Sequence, residues 1–436
     1  MSNIDTLDIR IEQRIAQIEE MIKPLIIRDK SLNTSFFSES IIPLFQKNLE
    51  SKIVAHESTH SQYPFIDLFA GAGGLSLGLE QKGFNPITVV DNYLAANKTY
   101  LFNRPFLDSS KLLSQDIKTV NVKDFDQVPL IVGGPPCQGF SNANKQKKDG
   151  DERNQLYKFF VNSVQSVKPK IFLMENVEGI LKYQEIIKDD FKKIGYSCQV
   201  FRVNTNDLGL PQQRKRVFFL GIEDNLNSLH KELFNLFNLS EFKTQSFSLK
   251  DAISDLPVLE AKILRNSTNI ESKKWGYTIG PVHKNNQSYS LILNGKENFK
   301  FPILNHKSKF NNDRDIEIYS LLKQGEKSDA KSIQHINPYK SRDKIFKDKF
   351  SKLIYTEPSK TITAHMYYDC HMYIHPTQAR GLTPREAARI QGFPDDYLFL
   401  GSPNEWYRQI GNAVSPILAR FIGEKLSLIL DRIYKK

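Results

Sequence analysis

Along the first fifty residues the apolar positions recur three or four apart. Ile4, Leu7, Ile11, Ile15, Ile18 and Ile22 form one stripe, which predicts an amphipathic helix ended by Pro24. The stripe suits a helix packed on its own domain. A short dimerising coil is the alternative, with too few heptads to be stable alone. From Phe65 the texture changes. The short apolar runs FIDLF, ITVVD (87–91), LIV before Gly133, IFLM (171–174) and RVFFLGI (216–222) alternate with helical stretches such as LSLGLEQKGF. Strands alternating with helices predict an α/β fold, a doubly wound, mostly parallel sheet. After Thr383 a further helix is expected over PREAARIQ, with threonine as N-cap and proline at its first position.

Composition changes the picture mainly through charge. The 436 residues carry a formal net charge of +11. Between Lys262 and Lys360 lie 20 Lys plus Arg against 10 Asp plus Glu, so nearly all of the excess sits in one Asn-, Lys-, Ser- and Tyr-rich insert. A regional asymmetry of that kind favours a phosphate-facing domain over a merely solvated surface. Three cysteines make no disulfide framework. The start has no secretory signal pattern, and no apolar run reaches the ~18 residues of a membrane span. A reducing cytoplasm is the expected compartment.

Three groups of residues suggest chemistry. Cys137 follows a buried strand and two prolines in GGPPCQGFS, at the carboxyl edge where open α/β sheets bind ligands. A lone thiol there, before a basic loop, is a candidate nucleophile. Ala70-Gly71-Ala72-Gly73-Gly74 after the first strand would let backbone approach a ligand. Its Gly-x-Gly-Gly spacing favours S-adenosylmethionine over a dinucleotide. Asp91 is placed for ribose hydroxyls and Asp116-Ile117 for adenine. Glu175 follows strand IFLM directly and should share the edge with Cys137. Gln212, Arg214 and Arg216 alternate on an extended segment and should point together toward a carboxylate and a phosphate.

The ordered set FIDLFAGAGG, VVD, QDI, GGPPCQGFS, MENV, PQQRKRVFFLG, RGLTPREAARIQGFPDDY and GNAVSP resembles the DNA cytosine carbon-5 methyltransferases of bacterial restriction-modification systems. The resemblance covers Phe65 to about Ile422. It implies a Rossmann-like, S-adenosylmethionine-binding catalytic domain (61–245 plus 402–436) and a smaller, irregular target-recognition domain (246–401). Residues 1–60 are left as an N-terminal helical extension.

It further implies that Cys137 attacks carbon 6 of a flipped-out cytosine and that Glu175 grips N3 and the exocyclic amine. Asn176 would support that geometry, and Arg214 and Arg216 would steady the glutamate and a phosphate. Phe69, Gly71, Gly73, Asp91, Asp116, Ile117, Pro136 and Asn412 become cofactor contacts. Gln138, Phe140, Ser141 and Gln212 become DNA contacts, and the loop 140–148 is expected to close over the base. Arg265, Arg314 and Arg342, the only arginines of the insert, are the natural guanine readers. The expected partner is double-stranded DNA, bound by a monomer and paired in function with a restriction endonuclease. No metal is called for. An RNA cytosine methyltransferase, a silent DNA-binding paralogue and a nucleotide-dependent oxidoreductase are the competing readings.

Overall fold

The computed structural model describes residues 3–28, 37–58, 63–136, 156–242, 244–267, 270–284, 288–340 and 349–434. The chain divides into two compact units of similar length. One contains 54–209, 214–245 and 413–436; the other contains 1–53, 210–213 and 246–412.

The first unit is built on a seven-stranded sheet. In chain order the strands are β1 (Tyr63–Leu68), β2 (Phe84–Val90), β3 (Leu112–Leu113), β4 (Leu130–Gly133), β5 (Ile171–Asn176), β6 (Tyr196–Asn204) and, after a two-residue β7 (Gln212–Gln213) of the other unit, β8 (Lys215–Glu223). Their order across the sheet is β3-β2-β1-β4-β5-β8-β6. All pairings from β3 to β5 are parallel, while β8 runs antiparallel to both β5 and β6. The central strands are buried on both faces, which is why they read as unbroken apolar runs. Strand β6, an alternation of partly exposed positions, is an edge the apolar runs did not mark. Chain order reverses between β1 and β4, so the ligand crevice of such a sheet is expected there, at the carboxyl ends.

The second unit is irregular. Strands β9 (Gly276–Lys284) and β10 (Lys300–Lys307) form an antiparallel pair, and β7 pairs with β11 (Ser359–Lys360). Its centre is the helix Pro384–Gln391, every residue of which is buried. Thr383 and Glu386 form the expected capping box. Three arginines make burial of so polar a helix possible. Arg380 forks onto Glu386 at 2.8 and 2.7 Å. Arg385 donates to the carbonyls of Leu304, Pro394 and Tyr397. Arg389 holds Asp395 and Asp255.

Two sequence expectations change. The first helix spans Asn3–Arg28, so it runs through Pro24 rather than ending there. An interior proline loses one backbone bond and crowds the carbonyl four residues earlier, yet the helix continues across it. Residues 1–53 are not a separate extension but belong with 246–412. Phe45 packs edge-on against Phe301 at 5.0 Å, and Asn48 and Lys52 both reach Asp396. For the same reason this unit is not the smaller one, and its far boundary falls after Asn412, not at 401.

Candidate active site

Five parallel strands bring their carboxyl ends to one edge, and the reversed β8 brings its amino end there too. The register sets Glu175 opposite Phe218 and Asn176 opposite Val217, so Arg216 lies one step beyond the end of β5. Arg216 Nε donates to Glu175 Oε1 at 2.8 Å, with both side chains little exposed. This pair is a product of topology: in a parallel β8, Arg216 would sit at the opposite edge.

Asn176 is buried. Its Nδ2 donates to the Pro135 carbonyl at 3.1 Å, and its Oδ1 accepts from Val177 N at 2.9 Å. It therefore ties the end of β5 to the first proline of the segment that leads to Cys137. Glycines let that segment come close. A Cβ on Gly133 would stand 2.3 Å from the Leu68 carbonyl oxygen, and one on Gly134 would stand 3.1 Å from Glu175 Oε2. Pro136 is exposed at the end of the described stretch. Cys137, Gln138, Phe140, Ser141 and the loop 140–148 lie outside the described residues, as does Arg342.

Arg214 is buried, and its Nη2 donates to the Ala413 carbonyl at 3.0 Å, joining it to the start of the C-terminal helix Pro416–Tyr434. Gln212 belongs to a different unit from the two arginines. It is fully buried in the other unit, where it accepts from Ile362 N at 2.7 Å and donates to Gln391 at 2.8 Å. It is a cross-link inside that unit. Asn412 ends the helix Pro403–Asn412 in that same unit. Arg265 and Arg314 are exposed there, Arg265 with its guanidinium 5.3 Å over the Phe310 ring and Arg314 3.4 Å from Asp315.

The glycine turn follows β1. Phe69, Gly71 and Gly73 all have left-handed backbones, with φ of 59°, 55° and 78°. For phenylalanine that conformation is strained, a condition that concentrates at ligand sites. Asp91 holds the turn from the end of β2. One carboxylate oxygen accepts from Gly71 N at 2.8 Å and the other from Tyr93 N at 2.7 Å. Asp116 caps its turn through Lys118 N at 3.0 Å, and Ile117 beside it is buried. Among the described residues a Cβ on Gly71 would meet nothing within 4 Å. A glycine turn flanked by two acids suits the ribose and adenine of S-adenosylmethionine.

Beneath the turn lies a polar network to which sequence reasoning gave no role. Ser76 donates to Asp67 and receives Tyr100's hydroxyl at 2.8 Å. Arg104 donates to Glu80 and to the Gly73 carbonyl. Burial pushes the Asp67 carboxyl up to about 7; Ser76 and Arg104 oppose that rise, while Asp91 and Glu80 add to it. The available signal was Asp67 itself, an acid inside the otherwise apolar strand FIDLF, which needs a buried partner.

Fold and edge together define a Rossmann-like methyltransferase. The family model for C-5 cytosine-specific DNA methylases matches residues 63–428, and the chain belongs to that family. It is an S-adenosylmethionine-dependent DNA cytosine methyltransferase. Among curated relatives, the type II methyltransferase M.DdeI of Desulfomicrobium norvegicum is 33% identical over 84% of this chain and 89% of its own. M.Bpa9945I of Bacillus paralicheniformis is 34% identical over 84% and 99%. Among solved structures, an E. coli prophage protein assigned as a DNA modification methyltransferase superposes with a TM-score of 0.63. It is 29% identical and is covered over 99% of its length, with 84% of this chain. No helix among the described residues is long and apolar enough to cross a membrane.

Proposed function

We propose that this methyltransferase modifies carbon 5 of one cytosine within a short, defined duplex sequence, as the protective arm of a restriction-modification system. The observation that carries the assignment of roles is the Arg216–Glu175 ion pair at the carboxyl edge, with Gly134 of the cysteine-bearing segment against the same carboxylate. The target cytosine is flipped out of the stack, since carbon 6 is inaccessible within it; unstacking costs a few kcal/mol.

Cys137 thiolate adds to carbon 6 as Glu175 delivers a proton to N3, which turns carbon 5 into an enamine nucleophile. When bound, S-adenosylmethionine supplies the electrophilic methyl group. A base then takes the carbon 5 proton, and the thiolate leaves by β-elimination. Arg216 orients Glu175 through its Nε, and Asn176 fixes the prolines ahead of Cys137. Phe69, Gly71, Gly73, Asp91, Asp116 and Ile117 hold the cofactor, with Pro136 and Asn412 assigned to it by the family's pattern. Arg265, Arg314 and Arg342 of the basic unit read the site. The protein acts as a monomer in the cytoplasm, paired in function with an endonuclease of the same specificity.

Labelled methyl transfer to duplex DNA, run beside Cys137→Ala, tests the proposal. Transfer by the wild type that the variant loses, at one sequence when the product is mapped with bisulfite, is the expected result. Transfer scattered over unrelated cytosines, or retained by the variant, contradicts it.

A further inference from the structure

Behind the glycine turn the protein buries a charge that packing alone does not require. Arg104 is 1% exposed. Its Nη2 donates to the Gly73 carbonyl at 2.9 Å, its Nε to Glu80 at 2.6 Å and its Nη1 to the Tyr100 carbonyl at 3.3 Å. The guanidinium lies 3.8 Å over the Tyr100 ring. Tyr100 in turn reaches Asp67 through Ser76. One continuous set of contacts thus runs from β1, through the helices Gly74–Glu80 and Leu94–Phe102, and back to the turn.

An aliphatic side chain would hold those two helices together without the several kcal/mol that burying a charge costs. It could not donate to a carbonyl. The Gly73 oxygen already accepts Leu77 N at 2.9 Å, so the arginine occupies its second lone pair and sets the rotation of that peptide. The turn has little other freedom. A Cβ on Gly73 would stand 2.5 Å from Tyr100 Cδ2 and 2.7 Å from Arg104 Nη1. Asp91 grips the opposite side of the turn at Gly71 N. The turn is therefore clamped twice, by Asp91 at Gly71 and by Arg104 from inside the protein.

We infer that Arg104 is a positioning residue for S-adenosylmethionine: it locks the Gly73 carbonyl from behind and so keeps the glycine turn in its ligand-facing shape. The inference rests on the assignment of that turn to the cofactor. Arg104→Lys keeps the charge and most of the stem but loses the planar fork that spans Gly73 and Glu80 at once.

The test is calorimetric binding of S-adenosylhomocysteine to the full-length protein without DNA, together with KM and kcat in the presence of DNA. The expected result is a tenfold or greater weakening of binding by Arg104→Lys. The cofactor KM should rise by a similar factor, with kcat within threefold of wild type and DNA affinity unchanged. Glu80→Ala, which removes the Nε partner but leaves the arginine, should weaken binding three- to tenfold, and it serves as the readout if Arg104→Lys does not fold. Wild-type affinity in a folded variant, with only a lowered melting temperature, overturns the inference. A wild-type protein that binds no S-adenosylhomocysteine overturns the assignment of the turn instead.

Discussion

Glu175 and Arg216 carry the residue-scale argument. In the proposed role Glu175 holds a base and cannot be left to rotate; the guanidinium at 2.8 Å from Oε1 restricts it. Arg216→Ala is expected to lower kcat by about 10²-fold, the loss typical when one preorganised charge is removed, with S-adenosylhomocysteine binding unchanged. Single-turnover methyl transfer measures it; a change in cofactor affinity alone would contradict the role.

Asp67 makes a second prediction at this scale. Burial raises its carboxyl from 3.8 to about 7, so the folded protein keeps a proton that the unfolded chain releases. The contribution to stability is greatest below about pH 4, falls as pH rises toward 7 and is level above. Asp67→Asn should remove that slope, as read from urea midpoints at pH 5 and pH 8. An unchanged slope would locate the titration elsewhere.

At the scale of elements, the chemistry follows from where strands end. GGPPC, MEN and DLFAGAGG could be placed on one edge from sequence because each follows an apolar run in a parallel sheet. The ion pair was implied by the family resemblance but not by the apolar runs, because it depends on β8 running backwards, and nothing in RVFFLG states a direction. Gln212 marks a related limit. Period-two alternation holds only within one strand, and the chain passes from one unit to the other between Gln213 and Arg214.

The helix Pro384–Gln391 was legible by its cap, whereas its complete burial was not, since two arginines and a glutamate argue for an exposed face. Its surroundings are expected to be acid-sensitive. His306 and His375 are buried, and burial lowers both to about 4, with Glu386 opposing and Arg380 reinforcing. Glu386 itself is held well below the ordinary carboxylate range by Arg380 and by these histidines, against the effect of burial. Below pH 6.5 the unfolded chain takes up protons that the folded unit refuses, so stability there is full above 6.5 and declines toward 4. Hydrogen exchange, corrected for intrinsic rates, should show peptides around 300–307 and 375–391 losing protection between pH 7 and 5. Peptides around 63–80 should not. Uniform loss across both units would contradict the assignment.

For the whole molecule, the sequence indicated two kinds of territory, an α/β sheet near neutrality and a basic insert, and the chain does divide into two units. It also supplied the family, because eight motifs in order constrain far more than any one. It did not show that the first fifty residues belong with the basic unit. An amphipathic stripe states that a helix is covered but not by what. Phe45, Asn48 and Lys52 find their partners some 250 to 350 positions away, at Phe301 and Asp396.

The central claim is that this sheet edge performs covalent catalysis through Cys137. The most direct measurement uses the methylated site, once mapped, rebuilt with 5-fluorocytosine at the target. Fluorine at carbon 5 removes the proton whose loss permits β-elimination, so the adduct should persist after methyl transfer. The account predicts a denaturation-resistant protein–DNA species that forms only with S-adenosylmethionine, carries one added methyl group and maps to a peptide containing Cys137. Normal methylation of the cytosine duplex with no trapped species on the fluorinated one, or an adduct at Cys198 or Cys370, would contradict it.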